Sequence, residues 1–242
     1  MLQTNDIGKK PMSGVYQIGV KKAMEIPDMI HKLSGTYSEY EIFSDWVKSS
    51  ALCISNTTDL RHGEIWESRE RQYMEIVKKH GSEVIQKFCE MNAMLTAELE
   101  RDMRDVLGEV YMATGLGNKN TGQFFTPFHL SYLTARVSLE KQLHHLKEND
   151  QIKLSEPSCG GGGMIIAAAK ILKENGVNYQ RKMKVVAQDL DWKTVYMTYA
   201  QLSLLGIKAI VVQGDTLSEP YQNENNLDRV FYTPAEKGVF IV

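Results

Sequence analysis

The sequence predicts an α/β fold in which a parallel sheet follows an all-helical N-terminal part. Three observations lead there. Apolar residues recur at helical spacing from Tyr37 to about Gly115, and strand and helix signals alternate from Ile152 onward. A run of four glycines, Gly160 to Gly163, stands between the first strand and the helix after it. Alternation of this kind implies right-handed βαβ crossovers and a parallel sheet. The chain divides accordingly into a helical part, residues 1–115, and a sheet part, residues 116–242.

With 242 residues and 43% apolar content, the chain can bury a proper core. A net charge of −2 and a pI near 6.3 argue against a free-standing nucleic-acid binder, leaving room for a local patch or a partner subunit. The three cysteines, Cys53, Cys89 and Cys159, form no CxxC. That suits a reducing cytoplasm and gives neither a disulfide framework nor a zinc site. No basic-then-apolar leader opens the chain and no apolar run is long enough to span a bilayer, so a cytoplasmic protein without membrane contact is expected.

Residues 1–25, with mixed Gly, Pro and Lys, read as a loosely held arm. Ile42, Trp46, Val47 and Leu52 mark one apolar helical stripe, and Ile65, Tyr73, Ile76 and Val77 a second. Asp59 punctuates them. Gly81-Ser82 reads as a stop and a fresh N-cap for a helix through Val84, Phe88 and Met91. A polar linker at 116–120 leads into Gly122-Gln123-Phe124-Phe125-Thr126-Pro127 and a helix through Leu130, Leu133 and Val137. Then follow a strand over 152–155, a helix over 163–174, a strand over 184–188, a helix over 192–205, and strands over 207–213 and 227–232.

The chemistry concentrates in Glu156-Pro157-Ser158-Cys159-Gly160-Gly161-Gly162-Gly163. Consecutive glycines let the backbone turn tightly and approach a ligand with no Cβ in the way. The helix that follows aims its free N–H groups at whatever fills the turn. This is not a dinucleotide fingerprint, because Ile165 stands where the third glycine belongs, nor a P-loop, because Met164-Ile165 replaces the lysine and hydroxyl residue. An acid ahead of the turn, Glu156, and no phosphate lysine fit a ligand with a cationic or zwitterionic end better than a polyphosphate. Asp189 closes the next strand, placed either to accept both ribose hydroxyl protons or to cap the following helix, a role Asp191 can fill instead. Asp215 closes the strand after that, as an acceptor for an exocyclic amine or as a turn aspartate before Thr216. The whole describes a pocket for a nucleoside-containing cofactor at the carboxyl ends of parallel strands. Cys159 reads as a packing residue in the turn. His144-His145 with Asp150 reads as an exposed helix end, so no metal is expected.

Together these segments resemble the N6-adenine DNA methyltransferases of type I restriction–modification systems, namely their modification subunits, in the short phage- and plasmid-borne branch. Gly122–Pro127 is similar to the family's first motif, and Glu156–Gly163 to its Asp-Pro-Ala-Cys-Gly-x-Gly-Gly loop. Asp189 matches its ribose-binding acid and Gly214-Asp215-Thr216-Leu217 its adenine-contacting turn, while Arg104-Asp105-Val106-Leu107-Gly108 looks like its helical region. The resemblance implies a Rossmann-like S-adenosylmethionine-dependent methyltransferase sheet, truncated after about the fourth strand. It implies methyl transfer from S-adenosylmethionine to adenine N6 in DNA, with the recognition site read by a specificity subunit. The cofactor-binding residues it implies are Gln123, Phe124, Phe125, Thr126, Pro127, Glu156, Pro157, Ser158, Cys159, Gly160, Gly162, Asp189, Leu190, Asp215 and Thr216.

One motif departs from the family. Its catalytic Asn/Asp-Pro-Pro-Tyr/Phe, after the fourth strand, accepts hydrogen bonds from the target amine and stacks on the flipped base. Here Thr233-Pro234-Ala235-Glu236 stands in that place. The resemblance makes Thr233 and the Pro234 carbonyl catalytic, assisted by Tyr232. The departure keeps a second reading open, a cofactor-binding assembly or regulatory subunit that performs no transfer. Family sheets continue for about three more strands, whereas this chain ends ten residues after Tyr232. The last strand is therefore expected at an open apolar edge, covered by Gly238–Val242 folding back as a strand, by a second copy or by a partner subunit.

Overall fold

The computed structural model describes residues 25–116, 124–145, 150–222 and 227–239. Gln123, most of the expected N-terminal arm and Phe240–Val242 lie outside the described residues. The helical part comprises α1 (Glu25–Leu33), α2 (Glu39–Thr57), α3 (Glu64–Arg101) and α4 (Val106–Ala113). A capping box starts α2: the Ser38 hydroxyl accepts the Glu41 N–H at 3.2 Å, and the Ser38 N–H donates to Glu41 Oε2 at 3.0 Å. Gly81, at φ +75°, breaks α3 at the glycine-serine pair where the sequence predicts a stop and a restart. Asp105 caps α4, its Oδ1 accepting the Gly108 N–H at 2.8 Å.

The sheet part follows α5 (Phe128–His145). It contains β1 (Ile152–Glu156), α6 (Gly163–Glu174), the single turn α7 (Tyr179–Lys182), β2 (Met183–Asp189), α8 (Trp192–Leu204), β3 (Lys208–Gln213) and β4 (Val230–Tyr232). The strands lie in the order β1-β2-β3-β4, and the first three pair in parallel across α6 and α8. This is a Rossmann-like α/β fold in which Glu156, at the end of β1, pairs with Ala187, two residues before Asp189 at the end of β2.

The fourth strand differs from the expectation of a parallel strand over 227–232. Leu227–Arg229 is a 3-10 turn, and β4 runs antiparallel to β3, pairing Ile210 with Tyr232 and Val212 with Val230. A parallel return needs a crossover that packs on a face of the sheet. The connection after β3 carries Asp215, Ser218, Glu219, Pro220 and Asp228 and has no apolar face for such packing. The chain therefore comes back along the neighbouring edge. Residues 233–239 form turns, with the Val239 N–H on the Pro234 carbonyl at 2.8 Å, so among the described residues no tail strand covers β4.

One hydrophobic core runs from Phe43, Trp46 and Leu107 in the helical part through Ile166 and Tyr199 to Val211 in the sheet. Two polar ties cross the same seam. Arg69, 6% exposed, donates to Ser55 Oγ at 2.7 Å and to the Val230 carbonyl at 2.8 Å, with its guanidinium 3.9 Å over the Phe231 ring. Fully buried Gln201 on α8 donates to Asp105 Oδ1 at 2.8 Å and to the Gly161 carbonyl at 2.7 Å, and accepts the Leu107 N–H at 3.1 Å. The second tie holds α4 against the glycine loop and so positions the site.

Candidate functional site

After β1 the backbone turns at Gly160 (φ +53°) and Gly162 (φ +90°), the left-handed region where glycine is favoured. Gly161 and Gly163 are glycine for a different reason, which is space. A Cβ on Gly161 would lie 2.7 Å from both carboxylate oxygens of Asp105, and one on Gly163 would lie 3.3 Å from Oδ2. Two of the four residues thus serve the turn and two serve close approach.

Bonds to β2 and α8 fix the loop. The Cys159 N–H donates to the Gln188 carbonyl at 3.0 Å, the Gly160 N–H to Asp189 Oδ2 at 2.8 Å, and the Thr198 hydroxyl to the Gly160 carbonyl at 2.8 Å. Asp189 Oδ1 accepts the Asp191 N–H at 3.1 Å, while Asp191 itself caps α8 by accepting the Lys193 N–H at 2.8 Å. The cap falls to Asp191, and Asp189 stays with the loop.

Of the residues singled out in the sequence, Phe124, Phe125, Thr126, Ser158, Cys159, Gly160 and Asp189 converge on a cavity of about 280 Å³ at the carboxyl ends of β1 and β2. Asp105, Ser131, Gly161, Gly163, Met164 and Thr194 line it too. Asp105 had a local signal in Asp-x-x-Gly: a Cβ on Gly108 would lie 2.2 Å from Asp105 Oδ2, so that glycine also makes room for the carboxylate. Ser131 and Thr194 are single polar residues on helices and carry no local signal.

Other singled-out residues surround this cavity without lining it. Pro127 lines an adjoining cavity of about 490 Å³ that shares Asp105, Phe125 and Thr126 with the first. The Thr216 hydroxyl donates to the Pro157 carbonyl at 2.6 Å, tying the β3 exit to the loop. Asp215 is exposed, and the Leu217 N–H on its carboxylate at 3.0 Å holds its pKa below the usual value. Leu190 is 68% exposed, Glu156 is half-buried, and Gly162 is the N-cap residue of α6. Burial pushes the Glu156 and Asp105 carboxyls upward and the Cys159 thiol far upward, so Cys159 remains a neutral packing group.

The expected catalytic trio does not reach this cavity. The reversed direction of β4 carries Tyr232, Thr233 and Pro234 to the amino end of β3. There the buried Thr233 donates its N–H to the Ala209 carbonyl at 3.0 Å and its hydroxyl to the Ile207 carbonyl at 2.7 Å. That hydroxyl also accepts the Ala209 N–H at 2.9 Å. Asp189 pairs with Gln213, whereas Thr233 lies beside Ala209, about 13 Å further down β3. Its side chain is a structural clip.

A larger cavity of about 580 Å³, lined by Tyr40, Arg69, Trp192, Lys193 and Tyr196 among others, lies beyond Asp191. Its two buried cations are already engaged, Arg69 as described and Lys193 with the Tyr111 hydroxyl at 3.0 Å. Among the described residues no cluster of His, Cys, Asp and Glu could hold a metal ion, and no helix is long and apolar enough to cross a membrane.

The family model of the N-6 DNA methylases matches residues 102–235, more than half of the chain. The chain belongs to that family. The N-6 DNA methylase segment takes in Asp105 and α4 together with the glycine loop and β1 to β4. No curated protein matches the sequence. Two solved structures are distantly similar. One, a Listeria monocytogenes protein described as a class I S-adenosylmethionine-dependent methyltransferase, has 12% identity and a TM-score of 0.46 over 83% of this chain. The other, the type I restriction–modification methyltransferase subunit of Streptococcus thermophilus, has 11% identity and a TM-score of 0.45 over 87%. The chain spans 55% of the first and 61% of the second.

Proposed function

We propose that this N-6 DNA methylase chain binds S-adenosylmethionine at the glycine loop and serves methyl transfer to adenine N6 in DNA, as a type I modification-like subunit. One observation carries the reading: a glycine loop whose N–H is held by the strand-end carboxylate of Asp189, at the mouth of a cavity with no lysine or arginine among its described lining residues. Such a cavity fits a sulfonium nucleoside and does not fit a polyphosphate.

The cofactor supplies an already activated methyl group, so the protein chiefly has to hold and align. Asp189, oriented by two backbone N–H groups, has lone pairs left for ribose hydroxyls. Gly160 and Gly162 let the backbone come close, and Phe124 and Phe125 flank the ligand. We assign Leu190 and Asp215 to the adenine ring, with Gln123, Thr126, Pro127, Glu156, Pro157, Ser158, Cys159 and Thr216 completing the surroundings. DNA is the inferred partner, reached through a specificity subunit because a net charge of −2 offers no general basic surface. A second copy or a partner subunit on the β4 edge, in the cytoplasm, completes the proposal.

A second reading has its own support. With Thr233 and Pro234 at the far end of the sheet, none of the expected amine acceptors lies at the cavity. A cofactor-binding assembly or regulatory subunit without transfer of its own fits that geometry. Tritiated methyl transfer to unmethylated DNA, with the chain alone and with a specificity subunit added, separates the two. Label on adenine N6 supports the first. Calorimetric binding of S-adenosylmethionine without label in any mixture supports the second, and no binding at all overturns both.

A further inference from the structure

Three carboxylates stand near the glycine loop, and their oxygens are unequally engaged. Each oxygen of Asp189 accepts a backbone N–H. Glu156 accepts one from Ser158 and does not line the cavity. Asp105 is 5% exposed and lines the cavity, yet both its donors, the Gly108 N–H and Gln201 Nε2, fall on Oδ1 at 2.8 Å. Among the described residues no donor reaches Oδ2.

A buried hydroxyl lies beside it. Ser131 on α5 is 1% exposed, lines the same cavity, and its hydroxyl has no partner among the described residues. A Cβ on Gly163 would lie 3.3 Å from Asp105 Oδ2 and 3.5 Å from Ser131 Oγ, so both groups flank the same point of the loop. Burying the Ser131 hydroxyl without a partner costs about 1–3 kcal/mol. Capping α4 does not call for the Asp105 charge: an asparagine at 105 would accept the Gly108 and Gln201 bonds equally well. What a carboxylate adds is a free acceptor for a cation.

We propose that Asp105 binds the ammonium of the ligand's amino-acid end, with the Ser131 hydroxyl as a second acceptor. The charge that reads the zwitterionic end then comes from the helix preceding the loop, and not from Glu156. Three glycines, Gly108, Gly161 and Gly163, make room for that carboxylate. Burial already pushes the Asp105 carboxyl upward, and an arriving ammonium offsets that penalty by stabilising the charged form. The proposal rests on the cofactor reading above and deepens it.

Calorimetric titration of the full chain tests it with three ligands: S-adenosylhomocysteine, its deamino analogue, and 5′-methylthioadenosine, which lacks the amino-acid end. The wild type should prefer S-adenosylhomocysteine over the deamino analogue by about 10–100-fold. Asp105→Asn should erase that preference and leave 5′-methylthioadenosine affinity within about twofold. Ser131→Ala should reduce the preference by a smaller factor. Equal wild-type affinity for S-adenosylhomocysteine and its deamino analogue overturns the proposal without any variant having to fold. Equal weakening of all three ligands by Asp105→Asn also overturns it, because that marks a structural role. Failure of the wild type to bind any of the three sinks the cofactor reading itself, an outcome distinct from the others.

Discussion

At the amino end of β3, the Thr233 hydroxyl both donates and accepts within 3 Å, and its N–H is paired as well. At the carboxyl end of the neighbouring strands, Asp105 and Ser131 are also buried, but among the described residues Asp105 Oδ2 and Ser131 Oγ have no hydrogen-bond partner. Both ends hold small polar residues in an apolar setting. The difference lies in where their bonds go. A buried polar group fully paired within the chain secures the fold, whereas one left unpaired at a cavity wall points to something arriving from outside.

The contrast can be broken most forcefully at Asp189. Replacing it with alanine removes both the proposed ribose acceptor and the anchor of the Gly160 N–H. Affinity for S-adenosylmethionine should fall by about 100-fold or more, near 3 kcal/mol, in calorimetry; unchanged affinity would remove Asp189 from the site. Gly161→Ala comes next. Its Cβ would meet the Asp105 carboxylate at 2.7 Å, so the loop or α4 must shift, at about 1–3 kcal/mol of stability in urea unfolding, with weaker binding alongside.

Thr233→Val sharpens the other side of the comparison. It leaves the Ala209 N–H without its acceptor and should lower stability by about 1–3 kcal/mol while cofactor affinity stays within about twofold. Loss of binding in a variant that still folds would return Thr233 to the site. The smallest effect concerns Cys159. Burial raises its pKa, so at pH 8 it stays a thiol and a thiol reagent should label exposed Cys53 and Cys89 in the native protein but reach Cys159 only on unfolding. Labelling of Cys159 at the rate of the other two would show that the loop opens freely.

How far the sequence carried depended on the range of each interaction. The break at Gly81, the capping box at Ser38 and the cap at Asp191 follow from a residue and its neighbours two or three positions on, and all of these are readable locally. The glycine run and Asp189 were readable because the alternation of strands and helices places strand ends together. Asp105 was visible as part of a motif, but its place in the cavity depends on Gln201, 96 positions away. The direction of β4 depends on which edge the connection after β3 can reach, and no periodicity in three strand residues records that.

By itself the sequence determined that a parallel α/β sheet would form behind helices and that a glycine turn and Asp189 would meet at its carboxyl end. Backbone dihedrals and hydrophobic periodicity act over a few residues, and those are written in the chain. Only the tertiary structure decided that Asp105 faces the loop and that Thr233 is locked away at the opposite end. Both outcomes turn on pairing between distant segments, where packing space and the satisfaction of buried hydrogen bonds select one arrangement among several that the local sequence permits.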